Sequence, residues 1–449
     1  MCFRKQIVGA LFALWVGGMS DDLLHADPST PTDITVPGSV AAPVTPAPAD
    51  NSSLPATSGP PPTAPAPVPA APSTTTTAMA VSAVTPSSPS FWPSGRLPFH
   101  VSVTLGEIYD DNIFIQPHKT SDFITQLTLK GEIKLGDKDV VDGNYLDAYY
   151  APSGSIYADH SSEDYINQDL ELFYQHRFSR LTLSLDQSYV KDTATSISIG
   201  NLVTSDVYTT NLKADYAYSD KLDITSNVSQ VFTDYDTALY TSSGEWVNDD
   251  YFLYKWDEKL SFGFGPKFGF LSFAGAPLQT YQQFLPRLQY AYSDKLTFSL
   301  AGGLEYRQYN QQGEGDLLTG IFDFAGTYHP WLDTTLSISG SRHYVPAYGF
   351  IGDDYLATSV GINGRQKFLK NFSFNLGVGY ENDDYLVANS GFSGVTREDN
   401  YVFITTGLDW NPNAWLLVSG GYKYQNDSSN FHAFSFDDNQ LDLSVEASY

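Results

Sequence analysis

Leu441-Asp442-Leu443-Ser444-Val445-Glu446-Ala447-Ser448-Tyr449 closes the chain. Side chains along a strand alternate between its two faces. Leu441, Leu443, Val445, Ala447 and Tyr449 therefore share one side, and Asp442, Ser444, Glu446 and Ser448 share the other. A strand that is apolar on one face, charged on the other and closed by an aromatic suits a wall between lipid and water. One such strand decides little, because any half-buried strand alternates. The reading depends on repetition of the pattern and on export.

Repetition begins near Phe99. A short turn followed by an alternating strand recurs from Phe178, Tyr218, Trp256, Tyr292, Trp331, Leu369 and Trp410, with a looser turn at Asp137–Gly143. Tyr218-Ser219-Asp220-Lys221-Leu222 and Tyr292-Ser293-Asp294-Lys295-Leu296 are the clearest copies. The turns are about 35 to 42 residues apart, room for two strands, one tight turn and one longer loop. Propeller blades repeat at this length with four short strands, but here only two alternating runs fit, each long enough to cross a bilayer. Eight short turns and nine longer loops predict eighteen strands. Sixteen is the main competing number, because Trp256 follows a short strand and Gly263–Ala276 is ambiguous. The expected fold is all-β, a transmembrane antiparallel up-and-down β-barrel over residues 96–449 in the outer membrane.

Lipid-facing charge costs a few kcal/mol at mid-depth, so the charged face must point inward. Alternation then places Lys130, Glu132, Arg177, Asp186, Asp215, Arg287, Glu305, Arg307, Asp323, Arg365, Asp409 and Glu446 in the lumen. Asp147, Asp169, Glu171, Asp223, Asp442, Lys134, Lys213 and Lys423 join them. Unpaired charges in a dry core are very costly, so this many predict a wet lumen. Pairing across the lumen, which would plug it, is the competing arrangement.

Two acidic residues followed by a tyrosine recur at Glu163-Asp164-Tyr165, Asp249-Asp250-Tyr251, Asp353-Asp354-Tyr355 and Asp383-Asp384-Tyr385. Read as loop-to-strand junctions, they would place tyrosines at headgroup level and carboxylates just above the membrane. Asp249, Asp250, Asp353, Asp354, Asp383 and Asp384 are then candidate calcium or magnesium ligands that bridge to anionic lipid. Hydrated, negatively charged loops are the plainer reading of the same pairs.

Export is written at the other end. Arg4 and Lys5 precede the uncharged run Ile7–Val16, too short to span a bilayer but suited to the core of a secretory signal. Cleavage is expected after Ser20 or Ala26, with Ala26 preferred. Residues 27–95 are rich in Pro, Ala, Thr and Ser and cannot bury enough apolar surface to offset ordering, so a disordered periplasmic linker is expected. Removing residues 1–26 removes two basic and two acidic residues, and the net charge of −27 is unchanged. Such an acidic chain is a poor partner for nucleic acid. The single cysteine, Cys2, is lost with the signal, so no disulfides are expected.

No His-Glu-x-x-His, phosphate-binding glycine loop or Gly-x-Ser-x-Gly elbow is present. His160, His176, His329 and His343 are scattered; an outer-membrane hydrolase that uses them is the remote alternative, and no enzyme or organic cofactor is expected.

Gly106-Glu107-Ile108-Tyr109-Asp110-Asp111-Asn112-Ile113-Phe114, followed by Ser121-Asp122-Phe123-Ile124-Thr125, resembles the opening of the putative β-barrel porin family (type 2). The Tyr-x-x-Ser-Asp-Lys-Leu turns are similar to that family too, and the resemblance would span residues 99–449. It implies an outer-membrane barrel and supplies no catalytic residues. Members found with exopolysaccharide synthesis systems suggest a second role, export or assembly of polysaccharide on inner aromatics such as Tyr145, Tyr149 and Phe403. The first expectation is passive diffusion of small hydrophilic solutes with a mild cation preference, since the assigned inner face carries more acidic than basic groups. Expected partners are outer-membrane lipid and the barrel-insertion machinery, which would read Tyr449 as an assembly signal.

Overall fold

The computed structural model describes residues 99–196, 201–237, 240–274, 277–309, 315–346, 354–386 and 395–449. The expected signal, the whole linker and Asp353 lie outside these residues. The first strands are β1 (Phe99–Asp110), β2 (Asp122–Gly136), β3 (Gly143–Tyr157), β4 (Tyr165–Arg177), β5 (Leu181–Ser196), β6 (Asn201–Ser219) and β7 (Leu222–Tyr235). Then come β8 (Ser243–Lys255), β9 (Leu260–Phe264), β10 (Pro266–Phe273), β11 (Gln279–Phe284), β12 (Arg287–Ser293), β13 (Leu296–Tyr309) and β14 (Leu317–Tyr328). The last are β15 (Thr334–Val345), β16 (Tyr355–Phe368), β17 (Phe372–Tyr385), β18 (Glu398–Asn413), β19 (Leu416–Ser429) and β20 (Phe436–Ser448).

Two pairs of these are halves of single staves. β9 and β10 both pair with β8 in one unbroken register, Leu253↔Gly263 and Asp249↔Lys267. β11 and β12 likewise share β13, through Gln283↔Glu305 and Arg287↔Ala301. The interruptions fall at Gly265 and at Leu285-Pro286. Proline has no N–H to give a ladder, which is why each stave breaks there. The ambiguous stretch in the sequence is thus one broken stave, and the barrel has eighteen staves.

The sheet closes. β1 pairs with β20 through Val103↔Ala447, Leu105↔Val445 and six further pairs between Ser102 and Tyr109, ending at Asp110↔Gln440. Val101 and Tyr449 exchange two backbone hydrogen bonds of 2.9 and 2.8 Å. Closure removes both sheet edges, and with them the unpaired backbone groups that lipid could not satisfy.

Alternation sets the faces. Leu441, Leu443 and Val445 are exposed, as are Leu212, Leu300, Leu304, Ile362 and Leu376 on other staves. That apolar band is the outer surface of a membrane barrel. The turns are held by the residues that recur in the sequence. Ser219 Oγ accepts from the backbone N–H of Lys221 and Leu222, and Asp257 Oδ1 accepts from those of Lys259 (2.8 Å) and Leu260 (2.7 Å). These short side chains satisfy the donors a tight turn leaves free. The two amide bonds also hold the Asp257 carboxyl below its ordinary value.

Five of the turns also carry an exposed aromatic: Tyr218, Trp256, Tyr292, Trp331 and Trp410, with Trp415 and Tyr449 at the same end. Their position at the ends of the staves is that of an interfacial girdle.

Candidate functional site

The face opposite the apolar band is polar along nearly every stave, and it pairs its charges locally. On β2 and β3, Lys134 meets Glu132 at 2.9 Å and Asp147 at 3.7 Å, and Lys130 meets Glu132 at 3.7 Å. The Lys130 ammonium lies 4.3 Å from the centre of the Tyr149 ring, whose hydroxyl donates to Asp169 at 2.9 Å. Lys213 pairs with Asp215 at 2.8 Å, and His343 with Asp323 at 2.7 Å. Asp409 accepts from Ser373, Asn375 and Ser419, and Ser373 in turn accepts from Arg365. Arg177 donates to the Asp139 carbonyl at the turn end. Asp186 faces Asn211, and Glu446 faces Thr104 and Leu417. All twelve side chains read as inward occupy this face.

The face is not uniformly wet. The Lys134, Asp215 and Asp323 side chains keep 43%, 40% and 45% of their surface exposed. Glu305 and Arg307 keep 2% and 4%. Their ion pair is 2.8 Å long, Gln283 donates to Glu305 at 2.6 Å, and the Arg307 guanidinium lies against the rings of Tyr281 and Tyr344. Here the expectation of a wet lumen fails. Aromatic rings and a glutamine replace the water around the pair.

The acidic–tyrosine reading is corrected at one copy: Asp249 and Asp250 lie in the middle of β8, not at a loop. Asp383 and Asp384 do stand at the loop end of β17, and Asp164 and Asp354 directly precede β4 and β16. Asp249 points inward and binds Arg287 through both oxygens, at 2.8 and 2.7 Å. Asp250 points to the outer face beside Asn248. Asp354 is buried. The five described carboxylates form no ring at the barrel's rim. Tyr251 carries the Arg287 guanidinium at 4.0 Å, and Tyr355 and Tyr385 stack with each other in a buried cluster. The girdle is made instead by the aromatics of the turn repeat, a signal present in the sequence at most turn copies. The inner aromatics are engaged too. Tyr145 donates to Asp147, and the Phe403 ring covers Gly379, where an added Cβ would lie 2.2 Å from it.

The string Tyr109–Phe114 builds the loop end of the closing seam. Asp110 Oδ1 accepts from the Asn112 N–H at 2.7 Å, and its Oδ2 accepts from Gln440 of β20. Asp111 accepts from the Asn439 backbone and side-chain nitrogens, each at 2.8 Å, and from Lys119 at 2.9 Å. Lys119 also pairs with Asp437. Partial burial pushes the Asp111 carboxyl up, but these donors and the Lys119 charge outweigh it and hold it below its ordinary value. Asn112, wholly buried, donates to the carbonyls of Gln116 and Asp437. Ile113 packs with Ile124 and Tyr157, and its carbonyl accepts from Thr195 of β5 at 3.0 Å. This string thus joins the first strand to the last and folds across to β5.

Residues 350–449 match the family model described as Putative beta-barrel porin 2. The resemblance read from the sequence is to this family, and the matched span takes in β16 to β20 with the closing strand. The seam string at Gly106–Phe114 lies outside that span, which is narrower than the whole barrel. Comparison with curated proteins finds no match. Among solved structures, the chain is similar to Pseudomonas aeruginosa OpdK with vanillate, at 12% identity and a TM-score of 0.44, over 78% of this chain and 99% of that one. It is also similar to Acinetobacter baumannii OccAB2, at 10% identity and a TM-score of 0.46, over 78% and 97%. OccAB4 of the same organism gives 10% and 0.45, over 78% and 98%.

Proposed function

We propose that the chain is an outer-membrane porin, a water-filled channel for passive diffusion of small hydrophilic solutes. The observation that carries this is the exposure of ionised groups on the inner face of a closed wall. Lys134, Asp215 and Asp323 keep two-fifths or more of their surface open although they face away from lipid. Barrels of about 16–18 strands leave an aqueous passage after their side chains are placed. The inner face carries more carboxylates than cations, which supports a mild preference for cations. Channel work needs no catalytic group, and the inner histidine His343 is committed to Asp323.

In this reading the turns and both chain termini face the periplasm, the linker lies there, lipid surrounds the apolar band and the insertion machinery reads Tyr449. Planar-bilayer recording tests it. The expected result is stepwise conductance, with a reversal potential in a salt gradient that shows cation preference. Absence of conductance at all voltages overturns the channel, and anion preference overturns the charge assignment.

A further inference from the structure

Asp110 at the end of β1, Asp111 beside it and Asp438 on β20 meet where the barrel closes. One carboxylate oxygen from each lies within 4.8 Å of the other two. We propose that these three carboxylates hold a divalent cation, calcium by the buried protein-oxygen ligand set, which ties the first stave to the last.

Calcium takes oxygen ligands at about 2.3–2.6 Å, so oxygens on one ion stand up to about 5 Å apart. Magnesium, at about 2.0–2.1 Å, spans only about 4.2 Å and demands a stricter octahedron. Magnesium also tends to keep several of its waters, so a buried set of protein oxygens suits calcium better. Asp438 is wholly buried and Asp110 nearly so. Asp438 Oδ2 accepts from Gln425 at 2.6 Å, but its Oδ1 has no hydrogen-bond partner. A buried carboxylate oxygen without a donor is costly, and a cation relieves it. The oxygens of Asp110 each take one donor and keep lone pairs for a metal.

Charge gives the same answer. Lys119 sits on Asp111 and Asp437. Lys423 shares the inner face, opposite Gln440. Among the described residues neither Asp110 nor Asp438 forms an ion pair. Four carboxylates against two ammonium groups leave two negative charges, the charge of one calcium ion. A proton shared between Asp110 and Asp438 would relieve only one of them.

The experiment uses the full barrel in zwitterionic detergent. Calcium alone is titrated into chelator-treated protein by calorimetry, and the temperature of the heat-induced gel shift is read with calcium and with chelator. The expected result is one calcium per chain and a shift temperature lowered by several degrees in chelator. Asp438→Asn should weaken calcium binding by more than the about tenfold loss that even an outer-shell change causes. Its shift temperature should no longer respond to chelator. Asp384→Asn, on the outer face of β17, should bind calcium as the parent does. If Asp438→Asn does not assemble, Asp111→Asn serves, with the same expected loss. A parent that binds no calcium overturns the proposal, as does an Asp438→Asn or Asp111→Asn protein that binds it like the parent. A chelator-insensitive parent that Asp438→Asn stabilises would mean a shared proton instead, and the proposal fails.

Discussion

Replacing Glu305 with alanine tests how dry the inner face is around Arg307. The Glu305 and Arg307 side chains are 2% and 4% exposed. Removing the carboxylate leaves a guanidinium buried without its counter-ion, which costs about 3–5 kcal/mol in dry surroundings. Gln283 also loses its 2.6 Å acceptor, but this loss belongs to the same desolvated group and does not add in full. Contact with the Tyr281 and Tyr344 rings is common to parent and variant, so it cancels in the difference. The expected net loss for Glu305→Ala is therefore about 3–5 kcal/mol. Glu305→Gln keeps an acceptor for Gln283 and should lose less. The double variant Glu305→Leu with Arg307→Met should lose less than Glu305→Ala, since no charge is then stranded. Urea unfolding in lipid vesicles, followed by tryptophan fluorescence, reads these differences as midpoint shifts at constant slope. A loss below about 1 kcal/mol, the worth of an exposed pair, would refute the claim that this pair is desolvated.

Deleting residues 441–449 removes the pairs that join β20 to β1, and should leave the chain degraded before it reaches the outer membrane; normal membrane levels on a blot would refute this. Gly303→Ala would put a Cβ 1.8 Å from the Phe284 carbonyl oxygen, and the forced shift should cost about 2–3 kcal/mol in the same urea assay. Asn112→Ala removes the side-chain donor to the Asp437 carbonyl and the acceptor of the Gln116 N–H, and should cost about 1–3 kcal/mol with faster hydrogen exchange at Asn439. The Asp257 carboxyl is held low by two amides, so its contribution is full above the unfolded value of about 3.9 and is lost as pH falls through the folded value. The stability gap between the parent and Asp257→Ala should therefore close below about pH 4, and a gap that widens in acid would contradict the turn geometry.

Most of the wall was legible because period-two alternation and tight turns are local properties. Leu441–Tyr449 declares its faces by itself, and the Ser219 and Asp257 turns carry the side chains their backbones require. The closure of β20 on β1 obeys the same logic, since an open edge in lipid leaves backbone groups unpaired. Depth along the barrel was not legible. Asp249-Asp250-Tyr251 looked like a loop junction because charge near lipid is costly, yet β8 runs straight through it. Arg287, 38 residues further on, supplies the counter-charge that makes an inward Asp249 tolerable. The buried state of Glu305 was hidden for a similar reason. Alternation gives a face, whereas dryness depends on which distant rings, here Tyr281 and Tyr344, lean over it. The seam cluster was split in the sequence between Asp110-Asp111 and Asp438, and only closure brings them together.

Pro266 and Pro286 stand at nearly the same height on neighbouring staves, where β9 gives way to β10 and β11 to β12. Both lack the amide proton that would stitch one stave to the next. In hydrogen–deuterium exchange, the amides around Gly265 and Leu285 should take up label well before those along the β5–β6 pairing, which runs unbroken over sixteen registered residues. Under lateral load the wall would bend along this line, the part above it flexing against the part below. The eighteen-stave cylinder thus carries one crease, and its cross-section can breathe into an ellipse without any stave leaving the sheet.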